Sequence, residues 1–194
     1  CACIFFAIEG YNYLEAPVVN PPLVISHRGV SNGNGVQNTV ESLEKTAKLK
    51  PDLIEMDIQE TKDGQFVMMH DANLKGLAGI NKTPQDLTLE ELKQIDIHEN
   101  GYETKISSFD DYLARANELH QKLLIEIKTS HKDSPQMMEH FLDKYGAKIK
   151  VYGHQMQSLD YKVVEKVREY GTDIPVYFIL PYNSVFPRTL ATGY

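Results

Sequence analysis

Short apolar runs of strand length recur along the chain, and most are separated by stretches with helical spacing, a pattern that confines the fold more tightly than any other feature. LVISH (23–27), LIEMDIQET (53–61), QFVMMH (65–70), LLIEIK (123–128), IKVYGHQMQ (149–157) and PVYFIL (175–180) read as six strands. Helices are expected from Val40 to Leu49, with Asn38 or Thr39 as cap, at TLEELKQID, at SFDDYLARANELHQ, around Pro135–Tyr145 and at DYKVVEKVREYG. Strands joined through helices imply βαβ units and a mainly parallel sheet, hence an α/β fold. Only 53–70, folded at the Asp63–Gly64 turn, reads as a hairpin. A (β/α)8 barrel takes about 250 residues, and roughly 170 follow the N-terminal segment. The expectation is therefore a TIM-type barrel truncated after about six strands.

The chain divides near Pro22. CACIFFAI (1–8) is apolar but too short to span a bilayer, and YNYLEAPVVNPP reads as a Pro-rich linker. Residues 1–21 are thus taken as an N-terminal segment, with the end of a membrane helix preferred over a buried segment or a lipoprotein terminus at Cys1. Residues 22–194 form the domain proper. With Cys1 and Cys3 the only cysteines, no disulfide or Cys-zinc framework can organise it. A net charge of -7 leaves no basic footprint for nucleic acid.

Polar residues interrupt these apolar runs at consistent places. His27 closes the first strand, Glu55 and Asp57 lie in the second, His70 closes the third, and Glu126 and Lys128 close the fourth. In a barrel such ends share one rim, and residues two apart share a strand face. Three carboxylates converging in a cleft repel unless a cation sits among them, and all-oxygen ligation suits Ca²⁺ or Mg²⁺. Arg28 and Lys128 are then free to hold an anion, with phosphate the natural candidate, while His27 and His70 suit general acid and base roles. The remaining histidines, His154 among them, lack an acidic constellation and read as core or surface residues. Asn38 reads equally as helix cap or site residue; Gln157 and Ser158 lie near the same rim, within reach of a substrate, but read first as polar residues serving a turn.

HRG at 27–29, QNT at 37–39, EMDIQETKDG at 55–64, HD at 70–71, EIK at 126–128 and QS at 157–158 together resemble the ordered motif set of the glycerophosphodiester phosphodiesterase family over about residues 23–180. The resemblance implies a TIM barrel that hydrolyses glycerophosphodiesters to sn-glycerol 3-phosphate and an alcohol with a divalent cation. It makes His27 and His70 the acid/base pair, Glu55, Asp57 and Glu126 the metal ligands, and Arg28 and Lys128 the phosphate holders. Two positions depart from the pattern: Gln37 stands where the family often has Glu, and LKGLAG (74–79) replaces an Arg-Thr pair. GVQNT, LTLEELKQI and ILPYN resemble membrane-anchored members from Gram-positive bacteria, which implies an extracytoplasmic catalytic domain at the cell membrane. Two other activities fit the same residues: a lysophospholipase-D-like reaction, and a non-catalytic module that binds phosphate polymers or lipid headgroups.

Overall fold

The computed structural model describes residues 22–171 and 173–180. The apolar opening, most of the linker and the tail beyond Leu180 lie outside the described residues, and with them the membrane-anchor expectation. Among the described residues no helix is long and apolar enough to cross a membrane.

β1 (Ile25–Ser26) is shorter than expected, because the chain turns at once into a 3-10 segment at His27–Gly29. After α1 (Val40–Ala47), β2 (Leu53–Glu60) runs parallel to β1 with all eight residues buried. β3 (Phe66–Met68) folds back antiparallel on the end of β2, pairing Ile58 with Met68 and Glu60 with Phe66. The chain then makes an excursion through α2 (Lys75–Ala78), α3 (Leu89–Leu92) and a hairpin of β4 (Asp96–Glu99) and β5 (Tyr102–Lys105). It returns to the sheet through α4 (Phe109–Glu118), β6 (Leu123–Ile127), α5 (Met137–Tyr152), β7 (Gln155–Ser158), α6 (Tyr161–Glu169) and β8 (Val176–Phe178).

The main sheet has the order β1-β2-β6-β7-β8, parallel throughout, with β3 attached to β2. Five parallel strands with helices between them form wall of the TIM-barrel type. Six strands were expected and six lie in this sheet, but β3 is not a barrel strand. The β4–β5 hairpin was not foreseen, although its signal is present: Asn100 and Gly101 both take positive φ, 54° and 77°, as a two-residue type I′ turn requires. The strand expected from Ile149 also starts later. The stretch 149–151, with β-branched Ile149 and Val151 flanking Lys150, belongs to α5, because Phe141, Leu142, Tyr145 and Ile149 recur at helical spacing and all bury. Gly153, in the left-handed region at φ 69°, ends that helix and frees the chain to form β7.

Two hydrophobic clusters result. The larger lies between the sheet and α4 and α5, where Phe66 meets Phe141 edge-on at 5.1 Å and Phe109 meets Tyr145 at 4.8 Å. The smaller gathers Val36, Leu74, Leu87, Leu92, Ile97 and Ile106 around the excursion. β3 is their shared wall. Because side chains alternate across a strand, Phe66 and Met68 enter the larger cluster while Val67 and the following Met69 enter the smaller.

Candidate active site

Register brings the acids together. Asp57 on β2 stands opposite Glu126 on β6, and Glu126 opposite Gln157 on β7, while Glu55 shares the face of Asp57 two residues earlier. Ligand oxygens of Glu55, Asp57 and Glu126 lie within 4.8 Å of one another, and all three residues are buried. Each is held by a specific donor. The backbone N–H of Arg28, in the left-handed region at φ 54°, donates to Glu55 Oε2 at 2.8 Å. Asn38 Nδ2 donates to Asp57 Oδ2 at 3.0 Å, and the Asp57 N–H returns a bond to Asn38 Oδ1 at 3.1 Å. Gln157 Nε2 donates to Glu126 Oε2 at 3.0 Å. Thr39, not Asn38, caps α1, and Ser158 serves the turn by accepting from the Asp160 N–H at 3.1 Å, while its hydroxyl donates to the Ile127 carbonyl at 2.8 Å.

Burial, with the Asp57 charge adding to it, pushes the Glu55 carboxyl from its usual value near 4.5 up to about 7. Lys128 offers partial relief, with Nζ 2.5 Å from Glu126 Oε1 and 3.3 Å from Asp57 Oδ1. It is engaged with two of the acids. Burial works against its charge, yet these carboxylates hold its pKa above the ordinary lysine value. One ammonium leaves three adjacent carboxylates under-neutralised, so the donor set fits a hard divalent cation.

The histidines flank this cluster. His27 is largely exposed, with Nε2 3.9 Å from Glu55 Oε2. What burial it has, together with the Arg28 cation, lowers its pKa. His70 reaches the site by a route other than the one expected. It follows β3, so it stands at no parallel strand end; the hairpin overshoots the rim by the length of its pairing and brings the chain back, where the Met69 N–H bonds the Asp57 carbonyl at 3.0 Å. Gln59, next after Glu55 and Asp57 on that face of β2, clamps the loop by donating to the carbonyls of Met69 at 3.0 Å and Asp71 at 2.7 Å. Arg28 Nη2 lies 2.8 Å from His70 Nε2, and Asp71 Oδ1 lies 2.8 Å from His70 Nδ1. A guanidinium only donates and a carboxylate only accepts, which fixes the neutral ring with its proton on Nδ1. A cleft of about 480 Å³ opens beside His70, Glu126 and Lys128 and extends to Thr83 and Lys132.

Residues 27–188 match the model of the glycerophosphoryl diester phosphodiesterase family. The chain belongs to this family. Bacillus subtilis YhdW, named as a candidate glycerophosphodiester phosphodiesterase, is 30% identical over 166 residues, covering 82% of this chain and 66% of its own. Human lysophospholipase D GDPD1 is 28% identical over 166 residues, covering 80% of this chain and 51% of its own. The chain thus spans from about half to about two-thirds of these relatives. A phosphodiesterase of Oleispira antarctica, solved in complex with the product sn-glycerol-3-phosphate, superposes with a TM-score of 0.72 at 20% identity, over 88% of this chain and 71% of its own.

In this glycerophosphoryl diester phosphodiesterase family member, all seven residues singled out from the sequence border one cluster or its flanks. Asn38, Gln59 and Gln157 join them: Asn38 and Gln157 hold two of the acids, and Gln59 holds the loop that carries His70. The signal for the two glutamines was the strand face itself: Gln59 continues the row of Glu55 and Asp57, and Gln157 continues the rung of Glu126. His154 is a core residue as expected. Its Nδ1 accepts from the Leu123 N–H at 3.1 Å and its Nε2 pairs with Asn117 Oδ1 at 2.8 Å, and burial lowers its pKa to about 4.

Proposed function

We propose that the protein hydrolyses glycerophosphodiesters to sn-glycerol 3-phosphate and an alcohol, with Glu55, Asp57 and Glu126 holding a divalent cation such as Ca²⁺ or Mg²⁺. The observation that carries this reading is the convergence of three buried carboxylates beside His70, whose ring is oriented by Asp71 and Arg28. When bound, the cation supplies charge neutralisation and polarisation of the phosphoryl oxygens. Arg28 contributes donors for those oxygens, and Lys128, already among the acids, adds positive charge at the same edge. One histidine removes the proton of the attacking hydroxyl, from water or from the neighbouring glycerol hydroxyl. As the bond from phosphorus to the departing alkoxide breaks, the other histidine protonates that oxygen.

A coupled assay for sn-glycerol 3-phosphate from glycerophosphocholine, with and without chelator, tests the reading. Chelator-sensitive release is expected, and His27→Ala or His70→Ala should reduce it by at least 10²-fold, the scale of a lost acid or base. Metal binding should survive both substitutions. Undiminished turnover in the double variant, or ligand binding without release in the parent, rejects the hydrolytic mechanism. The relation to human lysophospholipase D GDPD1 supports a lysolipid as the second substrate in the same assay.

A further inference from the structure

The β4–β5 hairpin lies outside the parallel sheet, yet its last strand residue before the turn reaches the site. Glu99 accepts two hydrogen bonds from Gln37, from the backbone N–H at 2.8 Å and from Nε2 at 2.6 Å. The Gln37 amide is buried, and its Oε1 accepts from Arg28 Nη1 at 3.1 Å. Arg28 Nη2 in turn bonds His70 Nε2. The next residue, Asn100, fastens the hairpin tip to the same loop by donating to the Gly35 carbonyl at 3.2 Å.

We propose that Glu99 is a positioning residue: by fixing the Gln37 amide it sets where the Arg28 guanidinium stands relative to His70 and to an incoming phosphate. An amide placed between a group that only accepts and a group that only donates has one orientation. Glu99 takes the N–H side, so the oxygen must face Arg28. A carboxylate at position 37 would confront Glu99 directly, whereas the neutral amide joins it to Arg28. The bond from Arg28 also covers the lone pair that His70 needs for proton transfer. His70 becomes available only when Nη2 leaves it, and a bound phosphate offers Nη2 a stronger, charged acceptor. Gln37 keeps Nη1 anchored through that exchange. The guanidinium thus pivots about a fixed point, and the hairpin supplies the fixture.

Consequences for turnover rest on the phosphodiesterase reading, whereas the hydrogen-bond relay does not, so the experiment has two arms. In the first, Glu99→Gln keeps the size of the side chain but accepts only one of the two Gln37 donors at full strength. It should lower kcat/KM for glycerophosphocholine by about tenfold, the scale of one lost bond to a charged group. Arg28→Ala followed by Glu99→Gln should show no further loss. In the second, the ¹⁵N resonance of His70 Nε2 in the ligand-free protein should move downfield in Glu99→Gln, as a lone pair relieved of its donor does. Equal kcat/KM losses in both backgrounds, or an unmoved Nε2 resonance, overturn the proposal. If the parent protein shows no turnover, the phosphodiesterase reading fails and the Nε2 resonance alone decides the relay.

Discussion

Burial and the neighbouring Asp57 charge both oppose ionisation of Glu55. Its carboxyl titrates near 7 in the folded chain against an ordinary value near 4.5, raised first by burial and then by Asp57. Between those values the folded state binds more protons than the unfolded one, so stability falls as pH rises from 4.5 through 7. The shift corresponds to a loss on the order of 3 kcal/mol for the cation-free protein. Thermal melts in chelator should therefore decline over that pH range, whereas saturating Ca²⁺ or Mg²⁺ should flatten the decline and Glu55→Gln should abolish it. A chelated protein whose melting temperature rises over the same range would contradict this account. The acids were legible because a carboxylate in an apolar strand is a conflict visible in one dimension. Asn38 was less so: beside Thr39 it looks like a cap, and only its positive φ of 55° turns its amide to Asp57. Glu99 gave no local sign, since its partner Gln37 lies 62 positions away in the chain.

Among the elements, the 3-10 turn at His27–Gly29 is tightly confined. Gly29 takes φ 68°, and a Cβ there would stand 2.6 Å from the Tyr112 hydroxyl, which is buried with no hydrogen-bond partner among the described residues. Gly29→Ala should destabilise the protein by about 2–4 kcal/mol, combining left-handed strain with overpacking. Adding Tyr112→Phe should restore about 1 kcal/mol or more, because it removes the oxygen in the way and an unsatisfied buried group together. Urea unfolding of the two single variants and the double reads both terms, and simple additivity would refute the clash. Most helices and parallel strands were readable from periodicity. The errors fell where two patterns overlapped, as at 149–152, where β-branched residues also fit a helical face. They also fell where a two-residue signal, Asn100–Gly101, joins strands too short and too exposed to alternate clearly.

For the molecule as a whole, the two clusters predict two levels of cooperativity. Leu92 is fully buried in the smaller cluster, and Phe141 sits among Phe66, Phe109 and Tyr145 in the larger. Leu92→Ala should cost about 2–5 kcal/mol and Phe141→Ala about 3–5 kcal/mol. Native-state hydrogen exchange should separate them: Leu92→Ala should speed exchange over 84–106 while β6 stays protected, whereas Phe141→Ala should release both regions. Uniform acceleration in Leu92→Ala would mean that β3 couples the clusters into one unit. The parallel architecture was recoverable from strand-helix alternation, but this division was not, because apolar residues of the excursion carry no mark of which cluster they join. The alignment of Asp57, Glu126 and Gln157 across three neighbouring strands has a further consequence for how such a chain can diverge. Displacing β6 by a single position would turn Glu126 toward the helices and bring an isoleucine into the cleft, so a lone insertion or deletion within these strands erases the chemistry at a stroke. Tolerated length changes are confined to the connecting segments, and the reactive centre is inherited as a count of residues as much as a choice of them.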